Sequence, residues 1–382
     1  MNTSLAEKLT EWRRYLHENP ELSAQEAATS AFVCARLDEL GVPYVANVGG
    51  YGVVATLARG GSNRSVGLRA DMDALPITET TGLGYASRNP GVMHACGHDG
   101  HTVSLLGAAA LLKQDTGWTG TVQLIFQPAE EGAGGARAMV ADGLFERFPM
   151  ERVFGYHNWP GLDAGTVAVH AGPVMAAGAR IDIVIDGHAS HAALPHQSRD
   201  PVVAMGHLIV ALQSIVARNV DPLESGVISI GIVEGGVAPN QIPRTVRLRG
   251  TARCYSEATR AVIDAGIERI AAGIGAMFGV TVTAGLEWGV GATINTPVER
   301  DLAAEAVLEA GLPLQRDLAP AMTGEDFAWL LQHRPGAYVW IGNGPAEAGR
   351  ELHNPGYNYN DAILPAASGF LASVAKRALR EG

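Results

Sequence analysis

Nine consecutive residues, Met93–His94–Ala95–Cys96–Gly97–His98–Asp99–Gly100–His101, hold three histidines and a cysteine. Further on, Gln127–Pro128–Ala129–Glu130–Glu131–Gly132 sets two adjacent carboxylates behind an apolar run from Val122 to Phe126. Imidazole, thiolate and carboxylate are the side chains that bind transition metals. Gly97 and Gly100 let the backbone turn tightly enough for several of them to face one point. Neighbouring glutamates point in different directions, so one can bind metal while the other moves protons. That is the layout of metal-assisted hydrolysis.

Strands and helices alternate around these clusters. Gly52 to Ala58, Ser65 to Ala70, Thr121 to Phe126 and Arg152 to Tyr156 are short β-branched or apolar runs that read as strands. Gly100 to Lys113, rich in Ala and Leu, reads as a helix. Ser4–Leu5–Ala6–Glu7 and Ser23–Ala24–Gln25–Glu26 read as capping boxes that open two more, the second closed by Gly41. This order implies an α/β fold, with a mixed, largely parallel sheet sandwiched by helices. Ligands bind beyond the strand C-termini of such sheets. Asp71, Glu130, Glu131 and His157 each follow a predicted strand, which favours one shared site.

From Ala179 the rhythm changes. Ala179 to Asp186, Val227 to Val233, Thr245 to Cys254 and Val280 to Leu286 read as strands, with helices opening at Asp200–Pro201 and Ser256. The order β-α-β-β-α-β is ferredoxin-like. Residues 175–290 therefore read as a domain inserted into a first domain made of 1–174 and 291–382, and a length of 382 residues also favours two domains. Lys+Arg number 28 against 39 Asp+Glu, a net charge of −11, which argues against nucleic acid as a partner. No uninterrupted apolar run of about 18 residues occurs, so no membrane partner is expected. The N-terminus lacks a basic segment followed by an apolar one, so no secretory signal is expected. Three cysteines, Cys34, Cys96 and Cys254, form no disulfide framework and fit a reducing cytoplasm.

More motifs follow in order along the chain: Arg69–Ala70–Asp71–Met72–Asp73–Ala74–Leu75–Pro76, Tyr156–His157–Asn158–Trp159–Pro160, Gly187 to Pro195 with His191, Gly235–Gly236 with Asn240, Gly324–Glu325–Asp326–Phe327 and Leu352–His353–Asn354–Pro355. Together with the two clusters they resemble the amidohydrolase branch of the M20 metallopeptidase family. That branch includes hippurate hydrolases, N-acyl-amino-acid amidohydrolases and plant auxin-conjugate hydrolases. The resemblance implies two divalent metal ions, Mn²⁺ or Zn²⁺ with Ni²⁺ and Co²⁺ as alternatives, sharing Cys96, His98, Glu131, His157 and His353 as ligands. It implies Glu130 as general base and the inserted domain as lid and dimerisation surface of a homodimer. By register His191 is the lid histidine that stabilises the oxyanion, in its own or a partner subunit, and Asn240 is the lid asparagine near the substrate.

Asp71 stands where the wider family has a histidine ligand. Asp71 and Asp73 therefore read either as orienting a histidine ligand or as turn residues. His94 and His101 read as neighbours of the ligands, packing against or orienting them. Asn358 and Tyr359 depart from the Asp-Phe usual among the relatives, which marks a pocket or a packing variation. The implied activity is cleavage of the amide bond of N-acyl amino acids, hippurate-like N-aroyl or N-acetyl, to a carboxylic acid and a free amino acid. A dipeptidase or carboxypeptidase of the same family is the alternative enzyme. A non-catalytic metal or small-molecule binder is the other, and Glu130 argues against it.

Three further readings fail. Gly132–Ala133–Gly134–Gly135–Ala136–Arg137 imitates a dinucleotide loop but has Arg137 at the last glycine position. Cys96 with His98 can form a nucleophilic pair, but the surrounding wealth of ligand residues favours a metal thiolate. No Gly-x-Ser-x-Gly elbow is present.

Overall fold

The computed structural model of the chain describes residues 3–132 and 134–380. They form two compact units, one of residues 3–174, 293–319 and 326–380, the other of residues 175–292 and 320–325.

The first unit is built on an eight-stranded sheet. Its order is Tyr44–Val48, Gly52–Arg59, Gly120–Gln127, Ser65–Asp71, Arg152–Pro160, Gly336–Gly344, Val167–Ala168 and Leu314–Gln315. The four strands from Gly120–Gln127 to Gly336–Gly344 run parallel to one another. The strands Tyr44–Val48 and Gly52–Arg59 join at one side in antiparallel register. The sheet is thus mixed with a parallel centre, as the alternating pattern implies. The central strands are buried on both faces, which is why they read as near-continuous apolar runs.

The helix His98–Gln114 starts directly after Gly97, whose φ of 93° would strain any residue with a Cβ. Leu9, Val103, Leu106, Phe370 and Leu371 join one continuous core in this unit. At Gly107 the helix runs so close to its neighbours that a Cβ there would lie 2.9 Å from the Leu9 Cδ1 and the Ser368 Cβ.

In the second unit the strand order is Gly226–Gly235, Thr245–Cys254, Ala177–Asp186 and Thr281–Trp288, each pair antiparallel. Helices Pro201–Arg218 and Glu257–Phe278 complete a β-α-β-β-α-β unit with its own core of Ile181, Ile183, Ile185, Leu208, Leu212 and Ile263. Both helix starts are capped from their own sequence: Asp200 accepts from the N–H groups of Val202 and Val203, and Ser256 from that of Thr259. Residues 320–325 join this unit because Met175 bridges Ala321 and the Ala176 N–H donates to the Thr323 carbonyl. Two helices, Pro201–Arg218 and Asp361–Arg380, are long and apolar enough by length and composition to cross a membrane. Each contributes to the core of its own unit, through Leu208 and Leu212 and through Phe370 and Leu371.

One local expectation is overturned. Ser23 and Glu26 do not form a capping box: the helix begins at Ala27, with Glu26 at its N-cap and no side-chain cap bond. Ser23 Oγ donates instead to Asp73 Oδ2 at 2.5 Å. Glu26 Oε1 accepts from the N–H groups of Ala24 at 2.9 Å and Ala129 at 2.8 Å. A loop N–H inside the protein has no water to turn to, so a buried carboxylate is recruited there rather than to a helix end. The Ser4 side chain, expected to cap the first helix, lies outside the described residues.

Candidate metal centre

The parallel strands deliver the site. Asp71 ends the strand Ser65–Asp71, His157 lies near the end of Arg152–Pro160, and the loop after Gly120–Gln127 carries Glu130 and Glu131. Cys96 and His98 flank the Gly97 turn at the start of the buried helix. His353 arrives on a loop whose register is set by its own N–H, donated to the Ala95 carbonyl at 2.8 Å. His353 and Ala129 both hold positive φ, 63° and 57°. For side chains with a Cβ this backbone costs on the order of 1–3 kcal/mol each and persists only where the surroundings over-determine it. Here both strained residues adjoin the same cluster.

The donor atoms of Cys96, His98 and His157 converge within 4.8 Å of one another, and so do those of Cys96, Glu131 and His353 and those of His98, Glu130 and Glu131. The first two trios share Cys96. Cys96 Sγ lies 3.3 Å from His157 Nε2. Glu131 Oε1 approaches His353 Nε2 at 3.1 Å and His98 Nε2 at 4.0 Å. Yet His98 Nε2 and Glu131 Oε1 are buried atoms without an aligned hydrogen bond. Buried polar atoms that approach one another without bonding are aimed at a common point between them. A cation there satisfies both, and a set of one thiolate, three imidazoles and a carboxylate suits divalent transition metals.

The remaining nitrogens are already committed. His157 Nδ1 donates to the Asn158 carbonyl at 2.7 Å, which leaves the Nε2 lone pair facing Cys96. His98 Nδ1 meets Asp73 Oδ1 at 3.1 Å, which turns His98 Nε2 toward Glu131. His101 uses both nitrogens elsewhere: Nδ1 meets Asp71 Oδ1 at 2.6 Å, and Nε2 accepts from the Asn158 N–H at 3.0 Å. Asp71 and Asp73 are therefore bonded to histidines rather than to turn backbone alone. Asp73 Oδ2 also accepts from the Glu131 N–H at 2.9 Å, so one carboxylate fixes both a histidine and the glutamate loop. His94 is buried, and neither ring nitrogen has a hydrogen-bond partner among the described residues. Burial pushes it down to about 4, so it is neutral.

Charge follows the same geometry. Burial and the nearby Glu131 push the Cys96 thiol well above its ordinary range. Burial and His101 push His157 well down. His98 is buried, which disfavours its charge, but Asp71, Cys96 and Asp73 outweigh that and raise it well above 6.5. Asp71 is likewise held far below the usual carboxylate range by His98, Arg69 and His101, against the effect of burial. Without a cation the cluster thus holds its protons on the thiol and His98. Ligation needs a thiolate and neutral imidazoles, so metal uptake must release protons.

Around this centre lie residues that sequence motifs contain but do not assign. Arg69, 1 % exposed, donates to Asp71 Oδ2, Gln127 Oε1 and Asp326 Oδ1 at 2.7, 2.8 and 2.9 Å. Buried Arg13, His17 and Asp99, with half-buried Glu79 beside His17, form a second charge group one residue beyond His98. Asn358 and Tyr359 make packing contacts. Asn358 Oδ1 accepts from Arg13 at 3.2 Å, and the Tyr359 hydroxyl lies 3.1 Å from that of Tyr156.

His191 and Asn240 lie together in the second unit. Ser190–His191 pairs antiparallel with Gln241–Ile242, and the Ala192 N–H donates to the Asn240 carbonyl at 3.0 Å. His191 is exposed, and its Nδ1 accepts from the Ala193 N–H at 3.1 Å. The proton of the neutral ring is then on Nε2, where it can be donated outward.

Comparison with known proteins gives a consistent answer. The model of Peptidase family M20/M25/M40 matches residues 67–377. N-acetyl-L-cysteine deacetylase of Bacillus subtilis is 40% identical over 380 residues, covering 99% of this chain and 89% of that protein. Hippurate hydrolase of Campylobacter jejuni is 39% identical over 370 residues, 96% of each. The crystal structure of Bacillus subtilis YXEP, a dinuclear metal-binding peptidase of the M20 family, superimposes with a TM-score of 0.88 at 34% identity, covering 99% of each chain. The chain belongs to Peptidase family M20/M25/M40 and is a hydrolase of its amidohydrolase branch.

Proposed function

We propose that this hydrolase cleaves the amide bond of N-acyl amino acids, N-acetyl or hippurate-like N-aroyl, to a carboxylic acid and a free amino acid. The observation that carries the reading is the different bonding of the two adjacent glutamates. Glu131 belongs to two converging donor sets, with Cys96 and His353 and with His98 and Glu130, whereas Glu130 belongs only to the second of these and its Oε1 also accepts the Asp326 backbone N–H at 3.1 Å. Cys96, His98, Glu131, His157 and His353 would hold two divalent ions, Mn²⁺ or Zn²⁺, with Ni²⁺ and Co²⁺ as alternatives. Bound there, the ions polarise the acyl carbonyl and acidify a water.

Glu130 accepts the proton of the attacking water as its oxygen bonds to the acyl carbon. Glu130 then returns that proton to the amide nitrogen, the C–N bond breaks, and the amine leaves neutral. His191 Nε2–H stabilises the oxyanion formed in between, and Asn240 lies beside the substrate. The second unit acts as lid and as dimer surface. Its helix Pro201–Arg218 exposes Val202, Val203 and Val210, and the outer strand Gly226–Gly235 exposes Val227, Ile232 and Val233. Exposed apolar positions such as these suit contact with a second copy of the chain. The free thiols of Cys34, Cys96 and Cys254 suit a reducing compartment such as the cytoplasm.

The test is free-amine release from a panel of N-acetyl, N-benzoyl and dipeptide substrates by metal-loaded enzyme. Turnover of N-acyl amino acids with little on dipeptides supports the proposal. Turnover confined to dipeptides replaces it with a dipeptidase. Stoichiometric binding without turnover of any substrate makes the protein a binder.

A further inference from the structure

Glu130 is an adaptable side chain on a loop, and something must hold its carboxylate where it can work. Two buried carboxylates anchor the backbone of that loop: Glu26 at the Ala129 N–H and Asp73 at the Glu131 N–H. The carboxylate of Glu130 itself is met by the backbone N–H of Asp326, 196 positions away, at 3.1 Å. That N–H is held in turn by the Asp326 side chain. Asp326 Oδ2 accepts from the Ala136 N–H at 3.0 Å, while Oδ1 accepts from Gln127 Nε2 at 2.7 Å and Arg69 at 2.9 Å. The other arm of Arg69 donates to Asp71 Oδ2 at 2.7 Å, and Asp71 Oδ1 meets His101 at 2.6 Å.

We infer that Arg69 and Asp326 are positioning residues for Glu130: the Arg69 guanidinium clamps the Asp326 carboxylate, and the Asp326 N–H thereby fixes the direction of the Glu130 carboxylate. Arg69 and Asp71 lie two apart on one strand, so they share a face of the sheet. The planar fork of an arginine reaches both carboxylates at once, which a single ammonium cannot. Both carboxylates are buried, so neither has water to replace the guanidinium. The arrangement rests on the proposed role of Glu130 as base, but it also makes a geometric claim that stands apart from activity.

The backbone N–H cannot be substituted, so the test loosens what holds it. Arg69→Lys keeps a cation but loses the fork, and Asp326→Asn keeps the shape but turns an amide donor toward either the Ala136 N–H or Arg69. Each should lower kcat by about 10- to 100-fold, the cost of misplacing a reacting group by about 1 Å, with KM little changed. Metal stoichiometry should stay near that of the wild type, and both variants should remain folded at the assay temperature, although the unfolding midpoint should fall because a buried charge network is weakened. Combining either substitution with Glu130→Gln should produce no further loss, because the group being positioned is gone. Crystal structures of the wild type and both variants supply the second readout. The Glu130 carboxylate should leave the Asp326 N–H in both variants while Cys96, His98 and His157 keep their places.

Wild-type kcat in both variants, or an unmoved Glu130, overturns the inference. So does a fall in kcat that only parallels lost metal or the fraction of unfolded protein. If the wild type hydrolyses no N-acyl amino acid, the functional reading has failed, and the crystal structures alone decide the positioning role. Should Arg69→Lys not fold, Asp326→Asn decides both readouts.

Discussion

His17 makes a direct demand on stability at alkaline pH. Its ring is fully buried, with Nδ1 2.8 Å from Asp99 and Nε2 3.4 Å from Glu79. Burial alone would lower its pKa, and Arg13 opposes its charge, but Asp99 and Glu79 together raise it to about 9. A charged form that is favoured on folding stabilises the fold in full below the unfolded pKa, near 6.5, and loses that contribution as pH rises through about 9. For these two values, linkage gives about 2–3 kcal/mol at about pH 7 and nearly nothing above about pH 10. Asp99 is held well below the usual carboxylate range, against burial, chiefly by its bond to His17, with His94 and Arg13 adding, so the His17 and Asp99 shifts are one interaction and do not add. His17→Gln removes the titration. In urea unfolding of chelator-treated protein followed by circular dichroism, the stability gap between wild type and His17→Gln should shrink by about 2–3 kcal/mol between about pH 7 and about pH 10. A gap that stays constant over that range would show that His17 is neutral in the folded protein and refute the reasoning.

Three further outcomes are expected. Exhaustive chelation should abolish amide hydrolysis, and added Mn²⁺, Zn²⁺, Ni²⁺ or Co²⁺ should restore it; full activity in verified metal-free protein would end the metal reading. His191→Ala should lower kcat strongly at unchanged metal content, and mixing it with Glu130→Gln should recover activity if His191 serves a partner subunit, whereas no recovery after confirmed subunit exchange excludes that arrangement. Gly107→Ala would force a Cβ to within 2.9 Å of Leu9 Cδ1 and into Ser368, and should cost about 1–3 kcal/mol of stability as read from the urea midpoint.

Features set by near neighbours were legible in the sequence. Thr245–Cys254 reads as a strand along its full length, and Asp200 and Ser256 cap helices through bonds that span two or three residues. The parallel centre of the large sheet follows from apolar runs alternating with helices. What failed was local reasoning about side chains with distant partners. Ser23 through Glu26 has the spelling of a capping box, but its bonds reach 50 positions to Asp73 and 103 to Ala129. No periodicity carries such a signal. The same holds for Arg69: its bond to Asp71 could be guessed from the two-residue spacing, but its bond to Asp326, 257 positions away, could not. Arg13, His17 and Asp99 sit on two helices and read as ordinary polar positions until packing removes the water around them.

The division of labour between adjacent glutamates is the centre of the account, and paired substitution tests it most directly. Bound metal per chain and kcat on an N-acyl amino acid would be measured for Glu130→Gln and Glu131→Gln. Glu130→Gln should keep its metal and lose about 10²- to 10⁴-fold in kcat, the contribution of a well-placed general base. Glu131→Gln should lose metal, and activity with it. A Glu130→Gln protein stripped of metal beside a fully loaded Glu131→Gln protein would reverse the roles and contradict the account.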